Sequence, residues 1–535
     1  MLSSPKGVWS VVKNVRNKRE LTSNDKLLAL FPDVTHAVEH VNTLFSDFFH
    51  SNGTCTVTSS PICNDVKICD SSYVANALCK LKTSKAMGSD FVPPTLLKLS
   101  AEFISQPLCF IYNLSFNTAC VPHLWKMAHV IPVPKTYPVK CDQLRPISLL
   151  PEVSKIFERL ILQLFKEDLV NFYDDCQYAY RKSSSTVCAL ISIQDHVLGY
   201  LDDPDICAVR IIALDISHAF DSVPHELLLK HVADLNFSGA YILSSWLRSY
   251  LSLRKQRVRI GDVLSSPSAV TSGVPQGSIL GPILFSIFMS TYCPTNHNTR
   301  VAKYADDITL IVPVNKSSFG DFSLVNIEIG CFKAWCVDNF MTINHSKTKV
   351  LNINVTTSPL PDVPLMNNVI TLKILGLIFC KSLSWSPHFD SMISKLSRGL
   401  YVLRVLKDLL SHDQLVCVFN AIIRSVMDYA SPVFLNPGKG SDQRLLRICK
   451  RAFYIIHGRK SKHCKDCNMF NVKERRHLLS VRLFDVIKND KLHILYDLVP
   501  KASIRSRRLI LPHVQHSRRI NAFFFFCALL HNGQC

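Results

Sequence analysis

The run ICAVRIIALDI, residues 206–216, constrains the fold more tightly than any other stretch of the chain. Apolar and β-branched residues follow one another with almost no polar interruption, which predicts a buried strand. The run carries a charge near its end, Asp215. A strand end is where the backbone can stay in a sheet while a carboxylate reaches a cleft. A lone acid at a strand terminus is also common, so Asp215 needs companions before it carries meaning.

KYADDITLI, residues 303–311, supplies two of them, Asp306 and Asp307. Adjacent acids are frequent at hairpin tips, where both face water. They also suit a hard divalent cation, because Mg²⁺ prefers carboxylate oxygen and an ion bridging phosphates offsets the crowding of the acids. If KYADDITLI is a hairpin in the same sheet as the first strand, Asp215 and Asp306 meet although they are distant in sequence. Strand-borne carboxylates with two Mg²⁺ ions form the arrangement for in-line phosphoryl transfer, one ion activating a hydroxyl and the other steadying pyrophosphate.

Between the acids lies SGVPQGSILGPILF, residues 272–285. Its glycine-rich turn lets a substrate approach the backbone, and Gln276 can offer an amide to a base or sugar. The same residues also read as a helix N-terminus, with Gly277 and Ser278 near the cap. The order acid, glycine-rich turn, acid pair is more specific than any one piece.

Charge narrows the partners. Lys and Arg number 61 against 41 Asp and Glu, a net +20 that favours polyanions. Nucleic acid comes first and an anionic membrane surface second, but no apolar run reaches the roughly 18–20 residues that span a bilayer. ILGPILFSIFMS, from 279, is too short and reads as a buried helix. The basic start lacks the apolar core of a secretory signal. Twenty cysteines without regular spacing or an export signal read as reduced thiols inside a cytosolic or nuclear protein. In HCKDC, residues 463–467, Cys464 and Cys467 have ligand-like spacing but no second pair at suitable distance, so free thiols are favoured over zinc.

Along the chain, AVEHVNTLFSDFF predicts an amphipathic helix. YILSSWLRSYLS predicts another, with Leu243, Trp246, Leu247 and Tyr250 on one face, and VRIGDVLSSPSAV a hairpin turning at Gly261 and Asp262. Beyond 390 the pattern changes to long helices. In SKLSRGLYVLRVLKDLL, Leu396, Leu400, Leu403 and Leu406 recur at helical spacing, with Lys395, Arg398, Arg404 and Lys407 mostly elsewhere. SDQRLLRICKRAFYIIHGRK adds Arg447, Lys450 and Arg451. Such faces are either solvated or a phosphate-contacting surface.

LRPISLLPEVSKIFERLI, QYAYRKSSSTVCAL, ALDISHAFDSV, SGVPQGSILGPILF, KYADD, INHSKTKVL and LKILGLIF, in that order, resemble the reverse transcriptases of non-LTR (LINE-type, jockey-like) retrotransposons. The resemblance runs from about residue 75 to at least 460. It implies an α+β fold, a right-handed polymerase with helical fingers (71–204), a ferredoxin-like palm of antiparallel sheet and helices that also carries the primer-grip hairpin (205–390), and an α-helical thumb (391–470). Residues 1–70 would be a leader or linker, and 471–535 a basic helical region whose final part is missing.

The implied activity is RNA-directed DNA synthesis from a primer 3′-hydroxyl, on an RNA template, with deoxynucleoside triphosphates and a DNA primer or nicked target DNA, and no membrane. Oligomeric state stays open. Asp215 and Asp306 would be the principal ligands of two Mg²⁺ ions, for which Mn²⁺ can substitute, with Asp307 in support. Phe220 matches a steric gate that excludes the 2′-hydroxyl. Gln276 and Gly277 match the nucleotide pocket, and Lys135 and Arg145 match cations that hold the triphosphate, Arg145 with two-pronged geometry. Lys347 matches a lysine assigned either to protonate pyrophosphate or to contact phosphate. Leu375 and Gly376 match the primer grip.

Several positions depart from the family. Ser290 and Thr291 stand where an Asn-Asp pair is usual, and in AMGSDFVPP Met87 and Phe91 replace a Pro and a Gly. Residues 1–70 are too few for the endonuclease that commonly precedes the polymerase, so the chain is expected to be a fragment or to depend on a nick made elsewhere. An exposed FFFF at 523–526 would be an aggregation hazard. Two rivals remain: a catalytically silent or domesticated nucleic-acid-binding protein with this fold, and an RNA-dependent RNA polymerase, which Phe220 opposes.

Overall fold

The computed structural model describes residues 23–49, 66–84, 86–171, 174–235, 237, 239–354, 360–458, 471–501, 509–511, 519 and 522–532. HCKDC at 463–467 and His516 lie outside the described residues. The elements that build the site and its surroundings include helix α1 (Val34–Ser46), then α2 (Ala101–Asn117), strands β1 (Met127–Pro134) and β2 (Leu144–Leu149), and helices α3 (Glu152–Leu164) and α4 (Thr186–Leu201). Next come β3 (Ile206–Leu214), β4 (Ile216–Ser217), α5 (Ala240–Leu251), β5 (Arg254–Ile260), β6 (Val263–Leu264), β7 (Ser268–Val270) and α6 (Gly281–Met289). The hairpin β8 (Arg300–Tyr304) and β9 (Asp307–Asn315) leads to α7 (Ser323–Asp338), β10 (Thr342–Ile343) and β11 (Lys349–Asn354). Short strands β12 (Asn367–Val369), β13 (Thr371–Ile374) and β14 (Leu377–Cys380) precede helices α8 (Ser386–Leu406), α9 (Lys439–His457), α10 (Val472–Asn489) and α11 (Phe523–His531).

The central sheet has the order β12-β11-β3-β9-β8. Strand β3 is hydrogen-bonded on both sides, antiparallel to β9 from Ala208↔Val314 to Leu214↔Ile308 and to β11 from Ala213↔Lys349. Its want of polar alternation has a cause in the two layers around it. Val209 and Ile211 enter a core shared with α4 and the C-terminal helices, whereas Ile212 and Leu214, on the opposite face, enter one shared with α3, α5 and α6. Each such side chain contributes about 1.5–3 kcal/mol on burial. The one charge within the strand, Arg210, is 1% exposed and lies 4.9 Å from the centre of the Phe322 ring. Leaving aside β12, β3, β8, β9 and β11 follow the order strand, helices, strand, strand, helix, strand, which places the end of β3 beside the β8–β9 turn.

A second sheet, β2-β1-β5-β6 with β7 paired to β5, is covered by α1. Val38, Val41 and Phe45 of α1 pack with Val130, Val258 and Ile260. Glu39 accepts from the backbone and side chain of Ser266, at 2.6 and 2.7 Å. The expected helix at the N-terminal end is therefore present and docked. Val263 pairs with Ile260, which forms the expected hairpin around Gly261 and Asp262. Leu243, Trp246, Leu247 and Tyr250 are all buried on α5, and α6 is buried along its length.

In α8, Leu396, Leu400, Leu403 and Leu406 point into the core, while Lys395, Arg398, Arg404 and Lys407 are exposed. In α9, Leu445, Ile448, Ala452, Phe453 and Ile456 are buried, and Arg447, Lys450 and Arg451 face out. FFFF is not an exposed hazard: Phe523, Phe524 and Phe526 are buried in α11. No helix of the described residues is long and apolar enough to cross a membrane, and the described cysteines from Cys69 to Cys449 are free thiols.

Candidate active site

The register of the central sheet brings the acids together. Leu214 of β3 faces Ile308 of β9, so Asp215, one residue on, stands next to the start of β9 at Asp307. Tyr304 pairs with Asp307, leaving Ala305 and Asp306 as a two-residue turn. Only Ala305, at φ +56°, lies in the left-handed region there, as at the first corner of a type II′ turn. All three carboxylates line one cleft of about 750 Å³, together with Lys135, Arg145, Phe220, Asp221, Gln276, Asn344 and Lys347.

The charges in the cleft are unbalanced. Asp306 and Asp307 touch solvent inside it, yet surrounding protein displaces enough water to raise both carboxyls, Asp307 to about 6. Repulsion from Asp215 adds to the effect at both sites, and Arg145 opposes it. In the same cleft, burial and the nearby charges of Lys347 and Arg145 lower Lys135. Lys347 donates to Asp215 Oδ2 at 3.3 Å. Its loop is fixed by a hydrogen bond from Asn344 N to the Asp215 carbonyl, 2.8 Å, and by the pairing of β10 with β4.

Among the described residues no group of three or more His, Cys, Asp or Glu side chains is close enough to hold a metal ion as it stands. The donors are nonetheless hard oxygens whose mutual repulsion a divalent cation would relieve, so the donor set suits Mg²⁺.

Phe220 follows a turn in which His218 takes a left-handed conformation, φ +49°. The His218 ring stacks on Phe48, at the end of α1, with centroids 3.7 Å apart. The Phe220 ring stacks on Phe285 of α6, 4.1 Å away and nearly parallel. Gln276 lines the cleft, but its amide is already engaged, donating to Asp221 Oδ2 at 2.8 Å. Asp221 is 9% exposed, and burial pushes its carboxyl up to about 7 against the pull of that bond and of Lys135.

The glycines of SGVPQGS serve packing. A Cβ on Gly277 would stand 2.4 Å from the Ser148 carbonyl oxygen, and one on Gly273 2.6 Å from the Asp221 carbonyl oxygen. The close approach expected of a substrate is thus made at Gly277 by the chain itself. Ser148 N donates to the Gln276 carbonyl at 2.7 Å, and Val274 N to the Phe220 carbonyl at 2.8 Å. Gly281 N donates to Ser278 Oγ, and the buried carboxylate of Glu158 accepts from Ile279 N and Leu280 N, capping α6. Loop, strand end and helix are one stitched unit.

Eight of the expected residues meet in the cleft: Asp215, Asp306, Asp307, Phe220, Gln276, Lys135, Arg145 and Lys347. Gly277 is exposed and does not line it. Leu375 and Gly376 lie elsewhere, as the left-handed turn of hairpin β13–β14, where Tyr429 donates to the Leu375 carbonyl. The exposed cations of α8 and α9 form a separate surface. Asp221 and His218 were missed as cleft residues. Asp221 had one signal, its place beside Phe220; His218 had none, since its contact with Phe48 is long-range.

Residues 133–379 match the family described as reverse transcriptase (RNA-dependent DNA polymerase). The chain is 27% identical over 459 residues to a probable RNA-directed DNA polymerase from transposon BS of Drosophila melanogaster, covering 81% of this chain and 50% of that protein. It is 30% identical over 334 residues to the RNA-directed DNA polymerase from mobile element jockey of the same fly, covering 60% of this chain and 36% of that one. The jockey polymerase of Drosophila funebris is 26% identical over 456 residues, covering 81% and 48%. The chain thus spans about half or less of the length of these curated relatives. A telomerase from Candida albicans in complex with a telomeric RNA fragment overlaps with a TM-score of 0.36 and 12% identity, over 68% of this chain and 66% of that one, too low to bear on fold or function.

Proposed function

We propose that the chain, whose residues 133–379 match the reverse transcriptase family, is the RNA-directed DNA polymerase part of a non-LTR retrotransposon. It extends a primer 3′-hydroxyl along an RNA template with deoxynucleoside triphosphates. The observation that carries the reading is the meeting of Asp215 with Asp306 and Asp307 in one cleft that Lys135 and Arg145 also line. Acid and guanidinium in one cleft are what a metal-bound triphosphate requires.

Asp215 and Asp306 are the principal metal ligands, with Asp307 in support. Two Mg²⁺ ions, or Mn²⁺ in their place, supply activation of the attacking hydroxyl and neutralisation of the leaving pyrophosphate when bound. The residues of the chain do the rest. Arg145 grips phosphate oxygens through two parallel bonds, and Lys135 adds a point charge. Phe220, held flat by Phe285, acts as the gate that excludes a ribose 2′-hydroxyl. Lys347 leaves Asp215 when the triphosphate enters, and then either contacts phosphate or gives its proton to pyrophosphate. Gln276 acts through Asp221, fixing the floor of the pocket.

In this reading residues 71–204 are the fingers and 205–390 a ferredoxin-like palm, which the β11-β3-β9-β8 order supports. Residues 391–470 are the thumb, and the Leu375–Gly376 turn is the primer grip. Arg398, Arg404, Lys407, Arg447, Lys450 and Arg451 follow the phosphates of the template–primer duplex, so binding weakens steeply with salt. A silent nucleic-acid-binding protein with this fold is the second reading. The test is primer extension on an RNA template with Mg²⁺. Growth with deoxynucleotides alone supports the polymerase, growth with ribonucleotides alone supports an RNA polymerase, and none with either supports the silent binder.

A further inference from the structure

The turn that carries Asp306 is gripped by a side chain that no part of the proposed chemistry uses. Gln177 is 0% exposed. Its Oε1 accepts from Ala305 N at 2.9 Å and from Ala179 N at 3.1 Å, while its Nε2 faces the Ala305 carbonyl at 3.4 Å. Both backbone polar groups of Ala305 are thus matched by one amide. Ala305 is the residue of the turn at φ +56°, a conformation an alanine adopts reluctantly because its Cβ crowds the backbone.

The segment bearing Gln177 is itself anchored to the same hairpin. Lys303 N donates to the Cys176 carbonyl at 2.7 Å, and Tyr178 N to the Lys303 carbonyl at 2.9 Å, so residues 176–178 lie along the outer edge of β8. The Lys303 ammonium, 0% exposed, is bound by Asp174, by the Met289 carbonyl at 3.0 Å and by the Tyr292 carbonyl. The hairpin cannot shift along this segment without breaking a buried ion pair and several backbone bonds.

We propose that Gln177 is a positioning residue for the acid pair: its side-chain amide holds Ala305 left-handed and so fixes the direction in which Asp306 and Asp307 enter the cleft. This rests on the reading of those acids as metal ligands. Gln177 touches neither substrate nor metal, and acts through the backbone of the turn.

The test combines hydrogen exchange with kinetics on the full chain. In wild type the Ala305 amide is protected. In Gln177→Met, which keeps the shape of the side chain and removes the amide, exchange in the peptide spanning 303–309 is faster. For primer extension kcat falls about ten- to a hundredfold, the cost of a small misplacement, while the Kd for template–primer stays within about twofold of wild type. Adding Ala305→Gly to that variant restores part of kcat, because glycine takes a positive φ without a Cβ penalty. A purely structural loss would not be rescued in this way.

Unchanged exchange and kcat in Gln177→Met overturn the proposal, as does a loss of kcat that Ala305→Gly leaves untouched. If Gln177→Met does not fold, the wild type decides: an Ala305 amide that exchanges as fast as an open turn overturns the clamp. A folded wild type that extends no primer sinks the polymerase reading, and the exchange rates still decide the clamp.

Discussion

The β8–β9 hairpin and the helices α8 and α9 are specified by different physics. The hairpin is placed by buried polar groups, Gln177 on Ala305 and Lys303 on Asp174, each costly to bury without its partner. The helices are placed by apolar periodicity, and their cations stand in water. The first arrangement fixes one geometry and tolerates little change. The second presents charge along a surface, where no single residue is decisive.

The sharpest test of that contrast is Asp306→Ala. Extension should fall on the order of 10³-fold or more, as when a preorganised electrostatic group is removed at a reacting centre, while a filter-binding assay records template–primer affinity near wild type. Retained synthesis would refute the metal assignment.

The next effect is on stability. Burial raises the Asp221 carboxyl from its ordinary value to about 7. A group raised in this way contributes stability below about pH 4, and the contribution is lost as pH rises through 7. Asp221→Asn should therefore be the more stable protein at pH 8, by on the order of 4 kcal/mol at most, and the difference should vanish near pH 4. Unfolding curves at the two values check the sign; a variant less stable at pH 8 would mean that Gln276 holds the carboxylate in its charged form.

Phe220→Val should reduce discrimination against ribonucleotides about ten- to a hundredfold, with incorporation of deoxynucleotides little changed. Smallest is the effect on the helices. Replacing Arg398, Arg404 and Lys407 together by Ala should leave kcat at saturating duplex unchanged and lower the slope of log affinity against log salt by about one per residue. If this triple variant abolishes synthesis, the proposed division of labour between cleft and helices fails.

What was legible in the residues follows the same division. The strand at 206–216, the hairpin at 303–311 and the helices beyond 390 announce themselves through period, because one repeated contact sets many positions at once. Single polar side chains with distant partners do not. Lys303 stands among residues that look like a solvated turn, yet it is among the most deeply buried groups in the molecule. Asp221 looks like a turn acid and is buried under Gln276. A side chain at Gly277 would meet the carbonyl of Ser148, a neighbour remote in the chain.

Phe91 is instructive in another way. Its replacement of a family glycine looks like decay, but the backbone there still has φ +55°, the conformation glycine would supply. The ring packs against His129, with centroids 5.0 Å apart, and lies 5.8 Å from the Arg259 guanidinium.

Because Leu214 and Ile308 face each other across the ladder, the spacing of the acids is independent of how much polypeptide separates them. An extra module spliced at the Gly261–Asp262 tip, where nothing crowds the glycine, would leave the cleft as it is. Removing one residue from β9 would rotate every later side chain of that strand to the opposite face of the sheet. Lineages of this sheet are thus free to drift in length between their acids and bound to keep count within the strands.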